Sequence, residues 1–135
     1  MTSGGGRILI VEDDPDIVDY LSFVLEDEGY SVKSASRCST ALGMMDDFQP
    51  DIVLIDALLP GKSGLEFLVS LRKDPKWSSL PLVVCTGNDK LLEDDCQSYL
   101  GAHEGVSGPD GVLGKPVDLD SLRAVIDKLL AKRQA

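Results

Sequence analysis

Cysteine and histidine are scarce in this sequence, and their spacing excludes the sites that they usually build. The 135 residues contain three cysteines, Cys38, Cys85 and Cys96, and one histidine, His103. The cysteines are odd in number and far apart, and they form neither a CxxC pair nor a pattern with the histidine. We therefore predict reduced thiols rather than a disulfide framework.

Long apolar runs are also missing. No stretch approaches the roughly 20 apolar residues that a membrane-spanning helix requires, and the first residues, MTSGGGRILI, contain no long hydrophobic signal segment. We expect no membrane association and a cytoplasmic location. The length fits one domain with a core large enough to be stable without disulfides. We assign residues 1–6 to a flexible tail and residues 7–135 to this domain.

Basic residues are in the minority. Thirteen lysines and arginines face 23 acidic residues, which gives a formal net charge of −10. A chain of this charge repels the phosphate backbone of nucleic acids on average, so we predict no direct binding to DNA or RNA. The same acidic surface suits cations and partner proteins with basic patches.

The apolar residues that are present, 43% of the chain, predict strands and helices in alternation. A near-continuous apolar run such as DIVLID is typical of a parallel strand that is covered on both faces. Parallel strands need crossover connections, which helices supply, so the alternation indicates an open parallel sheet with helices on both sides. The predicted strands are 7–12, 30–36, 51–56, 80–86 and 112–115, and the predicted helices are 15–28, 39–48, 64–74, 88–102 and 116–135.

Polar residues stand where the predicted strands end. Glu12 and Asp13 follow the first strand, Asp56 ends the third, Thr86 ends the fourth, and Lys115 follows the fifth. Parallel strands bring these ends to one edge of the sheet, which is where ligands bind in open α/β sheets. Two carboxylates about 4 Å apart repel by about 4 kcal/mol at an effective dielectric constant of about 20, so a divalent cation would stabilise the cluster.

The ligand chemistry favours Mg²⁺, or Mn²⁺, because all three candidate ligands are hard oxygen donors. Mg²⁺ commonly binds one or two carboxylates together with a phosphate oxygen. Beside it, Lys115 would supply a positive charge and Thr86 a hydroxyl donor for a phosphoryl group in transfer. Asp56 would be the carboxylate nucleophile, and the product would be an acyl phosphate.

Four segments, ILIVEDDP, DIVLIDALLPGKSG, VVCTG and GKP, follow one another at these strand ends. With these four segments in this order, the chain resembles the receiver domain of two-component response regulators from about Arg7 to Ala131. The resemblance implies a flavodoxin-like (βα)5 fold with strand order 2-1-3-4-5. It implies that Asp56 accepts a phosphoryl group from a sensor histidine kinase or a histidine phosphotransfer protein. It also implies signalling to an output partner protein, with no enzymatic activity beyond the domain's own phosphorylation and dephosphorylation.

The resemblance also assigns ligands and roles within the site. It implies that Mg²⁺ is held by Asp13, Asp56 and the main-chain carbonyl of Leu58, with Glu12 acting partly through water. Thr86 and Lys115 would contact the phosphoryl group.

The sequence departs from the receiver pattern at the aromatic residue that rotates in receivers when the threonine moves. Receivers usually carry Tyr or Phe three residues before the lysine, and here that residue is Val112. The segment between Thr86 and Lys115 is also longer than usual.

Three alternative functions compete with phosphorylation-dependent signalling: a receiver fold that binds partners without phosphorylation, a Mg²⁺-dependent phosphatase with an aspartyl nucleophile, and a flavin-binding protein. The phosphatase would need a second acid at Leu58, and the flavin protein a phosphate-binding loop after the first strand.

Overall fold

The computed structural model of the chain describes residues 6–56, 64–86, 109–115 and 117–134. Within these ranges five strands form one parallel sheet in the order β2-β1-β3-β4-β5. The predicted strand order is confirmed, and the predicted strand positions agree with the structure to within about two residues. The strands are β1 (Arg7–Val11), β2 (Ser31–Ala35), β3 (Ile52–Asp56), β4 (Leu82–Thr86) and β5 (Gly111–Gly114).

Four helices are present in the described residues. They are α1 (Pro15–Asp27), α2 (Cys38–Phe48), α3 (Gly64–Lys73) and the C-terminal helix (Leu119–Gln134). The predicted helix over 88–102 lies outside the described residues, as does the predicted tail except for Gly6. None of the described helices is long and apolar enough to cross a membrane.

Helix α1 begins and ends where its sequence predicts. The side chain of Asp14 accepts a hydrogen bond of 2.9 Å from the N–H of Asp16, and Pro15 occupies the first helical position, where its missing N–H costs nothing. After the helix, Gly29 has a φ of 98°, which residues with a Cβ rarely adopt. The cap is important for the site because α1 starts directly after Glu12 and Asp13.

The core lies in two apolar layers, one on each face of the sheet. Side chains alternate along each strand, so Leu9 and Val11 of β1 join the layer under α2 and α3, whereas Ile8 and Ile10 join the layer under α1 and the C-terminal helix. All five residues of β3 are buried, as predicted for a strand covered on both faces. Cys38 and Cys85 are buried in the first and second layer respectively, and neither forms a disulfide.

Candidate functional site

The acidic residues after β1 lie at the carboxyl edge of the sheet. Glu12 is only 4% exposed, whereas Asp13 is exposed. The N–H of Glu12 donates to the carbonyl oxygen of Ala35 at 3.0 Å, and its Oε2 accepts the N–H of Asp14 at 3.2 Å. These contacts fix the Glu12 backbone and carboxylate at the point where the chain turns from strand into helix.

Asp56 meets Glu12 because their strands are neighbours in the sheet. Val11 of β1 pairs in register with Ile55 of β3, so the next residue on each strand extends beyond the same edge. Asp56 is 7% exposed at the end of β3. A carboxylate buried to this extent needs a partner, since an isolated buried charge is strongly destabilising.

Lys115, the residue directly after β5, supplies that partner. Its Nζ lies 2.8 Å from Oε1 of Glu12 and 3.2 Å from Oδ1 of Asp56. The sequence predicted that the lysine and the acids converge, and the geometry confirms it. The direct ion pair between Lys115 and Glu12 was not predicted from the sequence, because nothing in the spacing of residues 103 positions apart reveals which carboxylate the ammonium contacts first.

The three carboxylates are also close enough together to hold one cation. Glu12, Asp13 and Asp56 each present an oxygen, and these oxygens all lie within 4.8 Å of one another. One ammonium offsets only one of the three negative charges, so the cluster retains an excess of negative charge. The donors are all hard oxygens, and the exposed Asp13 leaves one side open to solvent, which fits an ion such as Mg²⁺ that keeps part of its water shell.

The pKa values of the site follow from burial and from the ion pairs. Burial raises the pKa of Glu12 above its ordinary value, although the hydrogen bond from Lys115 opposes this shift. Burial alone would lower the pKa of Lys115, but the hydrogen bond to Glu12 and the charge of Asp56 raise it above its ordinary value. Lys115 is therefore held in its charged form. In β4, which lies between β3 and β5, burial raises the pKa of the Cys85 thiol to about 12. This thiol is therefore not a nucleophile at neutral pH.

Known proteins with the same pattern identify the family. Residues 8–127 match the response regulator receiver domain. The chain belongs to this family. It is a receiver domain of the kind found in two-component response regulators, and its parallel sheet in the order 2-1-3-4-5 is the flavodoxin-like fold that the sequence predicted.

Individual relatives agree with this assignment. Response regulator Rre1 of Synechocystis sp. is 33% identical over 95% of this chain, which spans 53% of the length of Rre1, about half. An uncharacterised 14.6 kDa protein of Leptolyngbya boryana is 37% identical over 92% of the chain, which spans 90% of that protein. Among solved structures, response regulator protein TrrA from Thermotoga maritima in complex with Mg²⁺-BeF has 29% identity and a TM-score of 0.77. The match covers 93% of this chain and 99% of TrrA.

For two predicted site residues the structure gives less. Thr86 is described by its backbone, and Leu58 is not among the described residues. The backbone of Thr86 ends β4 in register with Gly114, one residue before Lys115, which places Thr86 at the same edge as the carboxylates. Its contact with a phosphoryl group remains a prediction. Leu58, whose carbonyl oxygen the resemblance assigns to Mg²⁺, lies outside the described residues.

Val112 occupies the position where receivers usually carry an aromatic residue. It is 49% exposed on β5 and lines an open groove of about 570 Å³ between this strand and the C-terminal helix, together with Lys115 and Asp118. A valine has no long ring that could rotate between two positions in this groove. Switching by an aromatic side chain at this position is therefore not available to this receiver.

Proposed function

We propose that this receiver domain carries a phosphoryl group on Asp56, and that phosphorylation changes its binding to an output partner protein. The observation that carries the proposal is the pairing of Lys115 Nζ with both Asp56, at 3.2 Å, and Glu12, at 2.8 Å. A lysine in this place neutralises part of the carboxylate charge that would otherwise repel an incoming phosphoryl group.

The donor in this proposal is the phosphohistidine of a sensor histidine kinase or of a histidine phosphotransfer protein. A carboxylate oxygen of Asp56 forms a bond to phosphorus, and the bond between phosphorus and the histidine nitrogen breaks. The electron pair of that bond stays on the imidazole, which takes up a proton. Lys115 and the hydroxyl of Thr86 would bind the phosphoryl oxygens as the charge moves onto this site.

Glu12, Asp13, Asp56 and the main-chain carbonyl of Leu58 would hold Mg²⁺ in this reaction. The spacing of the three carboxylates supports this assignment, and so does the reported complex of the related TrrA with Mg²⁺-BeF. When bound, the ion would draw negative charge from the phosphoryl oxygens. Oε1 of Glu12 accepts from the ammonium of Lys115, and Oε2, which accepts the N–H of Asp14, has a second lone pair that would accept a water bound to the metal.

The proposed partners are proteins. The formal net charge of −10 disfavours contact between this domain and nucleic acid, and it favours docking surfaces that carry lysine and arginine. We place the exchange in the cytoplasm. The chemistry of the domain would be limited to its own phosphorylation and dephosphorylation, because the proposed reaction uses Asp56 only as an acceptor.

Intact-mass spectrometry after incubation with acetyl phosphate tests the proposal. We expect a gain of one phosphoryl group that requires Mg²⁺ and that is lost in Asp56→Asn. Asp46→Asn is the matched control, because Asp46 is an exposed carboxylate whose partner is Lys76, far from the cluster. It should be labelled like the parent chain.

A protein donor completes the test. A phosphorylated histidine phosphotransfer protein should pass its group to the parent chain and not to Asp56→Asn. If neither donor labels the chain under conditions that label another receiver, phosphorylation is refuted, and binding of partners without phosphorylation becomes the function to test.

A further inference from the structure

A buried arginine occupies the end of the sheet opposite the carboxylates. Arg72 stands in the last turn of α3, and its side chain is only 4% exposed. Its Nη1 donates to the carbonyl oxygens of Leu80 at 2.6 Å and Ser78 at 3.2 Å, and its Nη2 donates to Oδ2 of Asp110 at 2.7 Å. A guanidinium with this many acceptors is held in one orientation by its planar fork.

Asp110 connects this arginine to two strands at once. Its Oδ2 also accepts the N–H of Leu82, the first residue of β4, at 2.9 Å. Its own N–H donates to the carbonyl oxygen of Leu82 at 2.8 Å. Asp110 directly precedes Gly111, which opens β5 in register with Val83. The position of Asp110 therefore determines where β5 begins against β4.

Strand β5 has little else to fix its register. It has four residues, it pairs only with β4 among the described strands, and it begins and ends with glycine. Glycine adds no side-chain packing to a strand, and Val112 is exposed, so Leu113 is the one residue of β5 whose side chain is buried. If β5 slipped by one residue against β4, every side chain along it would move to the other face of the sheet. Lys115, which directly follows β5, would be displaced in the same way.

We propose that Arg72 is a positioning residue for Lys115 and that it acts through Asp110. The Arg72–Asp110 pair fixes the start of β5, and the short strand transmits this register to its other end, where Lys115 reaches Glu12 and Asp56. The consequence for phosphorylation rests on the proposed function, whereas the consequence for the position of Lys115 does not.

A double-mutant cycle tests this coupling. Arg72→Met keeps an apolar chain in place of the aliphatic stem and removes the guanidinium donors. We expect it to lower the rate of Mg²⁺-dependent labelling by acetyl phosphate on the order of tenfold in the parent chain, because a misplaced charge loses most of its effect. In a Lys115→Met background the same substitution should leave the rate unchanged. An equal loss in both backgrounds would overturn the proposal.

Two controls separate positioning from stability. Leu71→Ala removes a buried side chain next to Arg72 in α3. It should destabilise the fold while leaving the Arg72–Asp110 pair in place. Its labelling rate per folded molecule should equal that of the parent at a temperature where circular dichroism shows both to be folded. Lys76→Met removes an exposed ion pair just after α3 and should also leave the rate unchanged. If Leu71→Ala slows labelling as much as Arg72→Met, loss of stability alone explains the effect and the proposal fails.

A second readout does not depend on phosphorylation. In nitrogen–proton correlation spectra of the unmodified protein, Arg72→Met should shift the backbone amides of Gly114 and Lys115, whereas Lys76→Met should not. Asp110→Asn, a milder change, should shift the same amides if Arg72→Met does not fold. If the amide signals of Gly114 and Lys115 do not shift in a folded variant, the positioning role of Arg72 is refuted. If the parent chain takes no phosphoryl group but these amides move, the proposed function fails and the positioning role stands.

Discussion

Among single residues, those at the carboxyl edge of the sheet carry an unbalanced charge. Glu12, Asp13 and Asp56 lie within 4.8 Å of one another and share one ammonium, that of Lys115. One ammonium offsets only one of these three charges, so the remaining repulsion between the carboxylates lowers the stability of the domain. Functional sites commonly carry such a cost.

Neutralising Asp13 should expose this cost. We expect Asp13→Asn to raise the free energy of unfolding by about 0.5 to 1 kcal/mol in the presence of EDTA, because one of three repelling charges is removed at an exposed position. The same substitution should weaken the stabilisation that added Mg²⁺ gives to the parent chain. Urea unfolding with and without Mg²⁺ measures both effects.

The matched control for this prediction is Asp19→Asn. Asp19 is exposed on α1 and is not part of the carboxylate cluster, so its substitution makes the same change in net charge without touching the site. If both variants gain equal stability, overall charge and not local repulsion is the cause.

Among single elements, α1 depends on one side chain for its start. Asp14 accepts the N–H of Asp16 at 2.9 Å, and we expect Asp14→Ala to lower the free energy of unfolding by about 1 kcal/mol. Asp14→Ser, which can also cap, should recover most of this loss. Thermal unfolding followed by circular dichroism measures both variants. An unchanged stability in Asp14→Ala would show that packing alone fixes the helix start.

The contact between the turn before β2 and the C-terminal helix should depend on pH. Burial, and then the negative charge of Asp127, raise the pKa of Tyr30 above its ordinary value of 10.0, and its hydroxyl donates to Oδ1 of Asp127 at 3.4 Å. The folded protein therefore holds the phenol proton more tightly than the unfolded chain does. This contribution to stability is complete below the ordinary pKa and is lost as the pH rises through the raised value.

Urea unfolding between about pH 9 and about pH 11 measures this dependence. The free energy of unfolding should fall with pH more steeply in the parent than in Tyr30→Phe, which has no ionisable hydroxyl. Asp127→Asn, which removes the neighbouring charge, should lie between them. Parallel slopes in all three proteins would refute the assignment to Tyr30.

For the whole molecule, the two apolar layers share one sheet and should unfold together. Cys38 reports on the layer under α2 and α3, and Cys85 on the layer under α1 and the C-terminal helix. Both thiols are buried, and burial raises the pKa of Cys85 to about 12. In a Cys96→Ser chain we expect Ellman's reagent to label neither thiol in the native state at about pH 8.

With increasing urea, both thiols should become reactive in the same transition that circular dichroism detects, as for a single cooperative domain. Comparing Cys38→Ser and Cys85→Ser in the Cys96→Ser background assigns the signal to each layer. Labelling of one thiol at a lower urea concentration would show that its layer opens separately.

Local signals in the sequence were sufficient for most of the elements. Asp14, Pro15 and Gly29 marked the limits of α1, and the apolar run before Asp56 marked a strand covered on both faces. These features depend on residues within a few positions of one another, so their physics is readable along the chain. The ordered set of strand-end motifs was also enough to assign the family, the strand order and the edge of the sheet where Lys115 meets the acids.

The contacts between distant residues were decided by tertiary structure. The sequence predicted that Lys115 belongs with the carboxylates, but only the folded sheet brings its ammonium between Glu12 and Asp56. Likewise, no pattern in the chain pairs Arg72 with Asp110, 38 residues later. An ion pair depends on ångström distances between side chains, whereas a periodic pattern specifies only which face of an element is buried. The sequence therefore determined the elements, their order and the chemistry at the carboxyl edge, and the three-dimensional packing determined which charges touch.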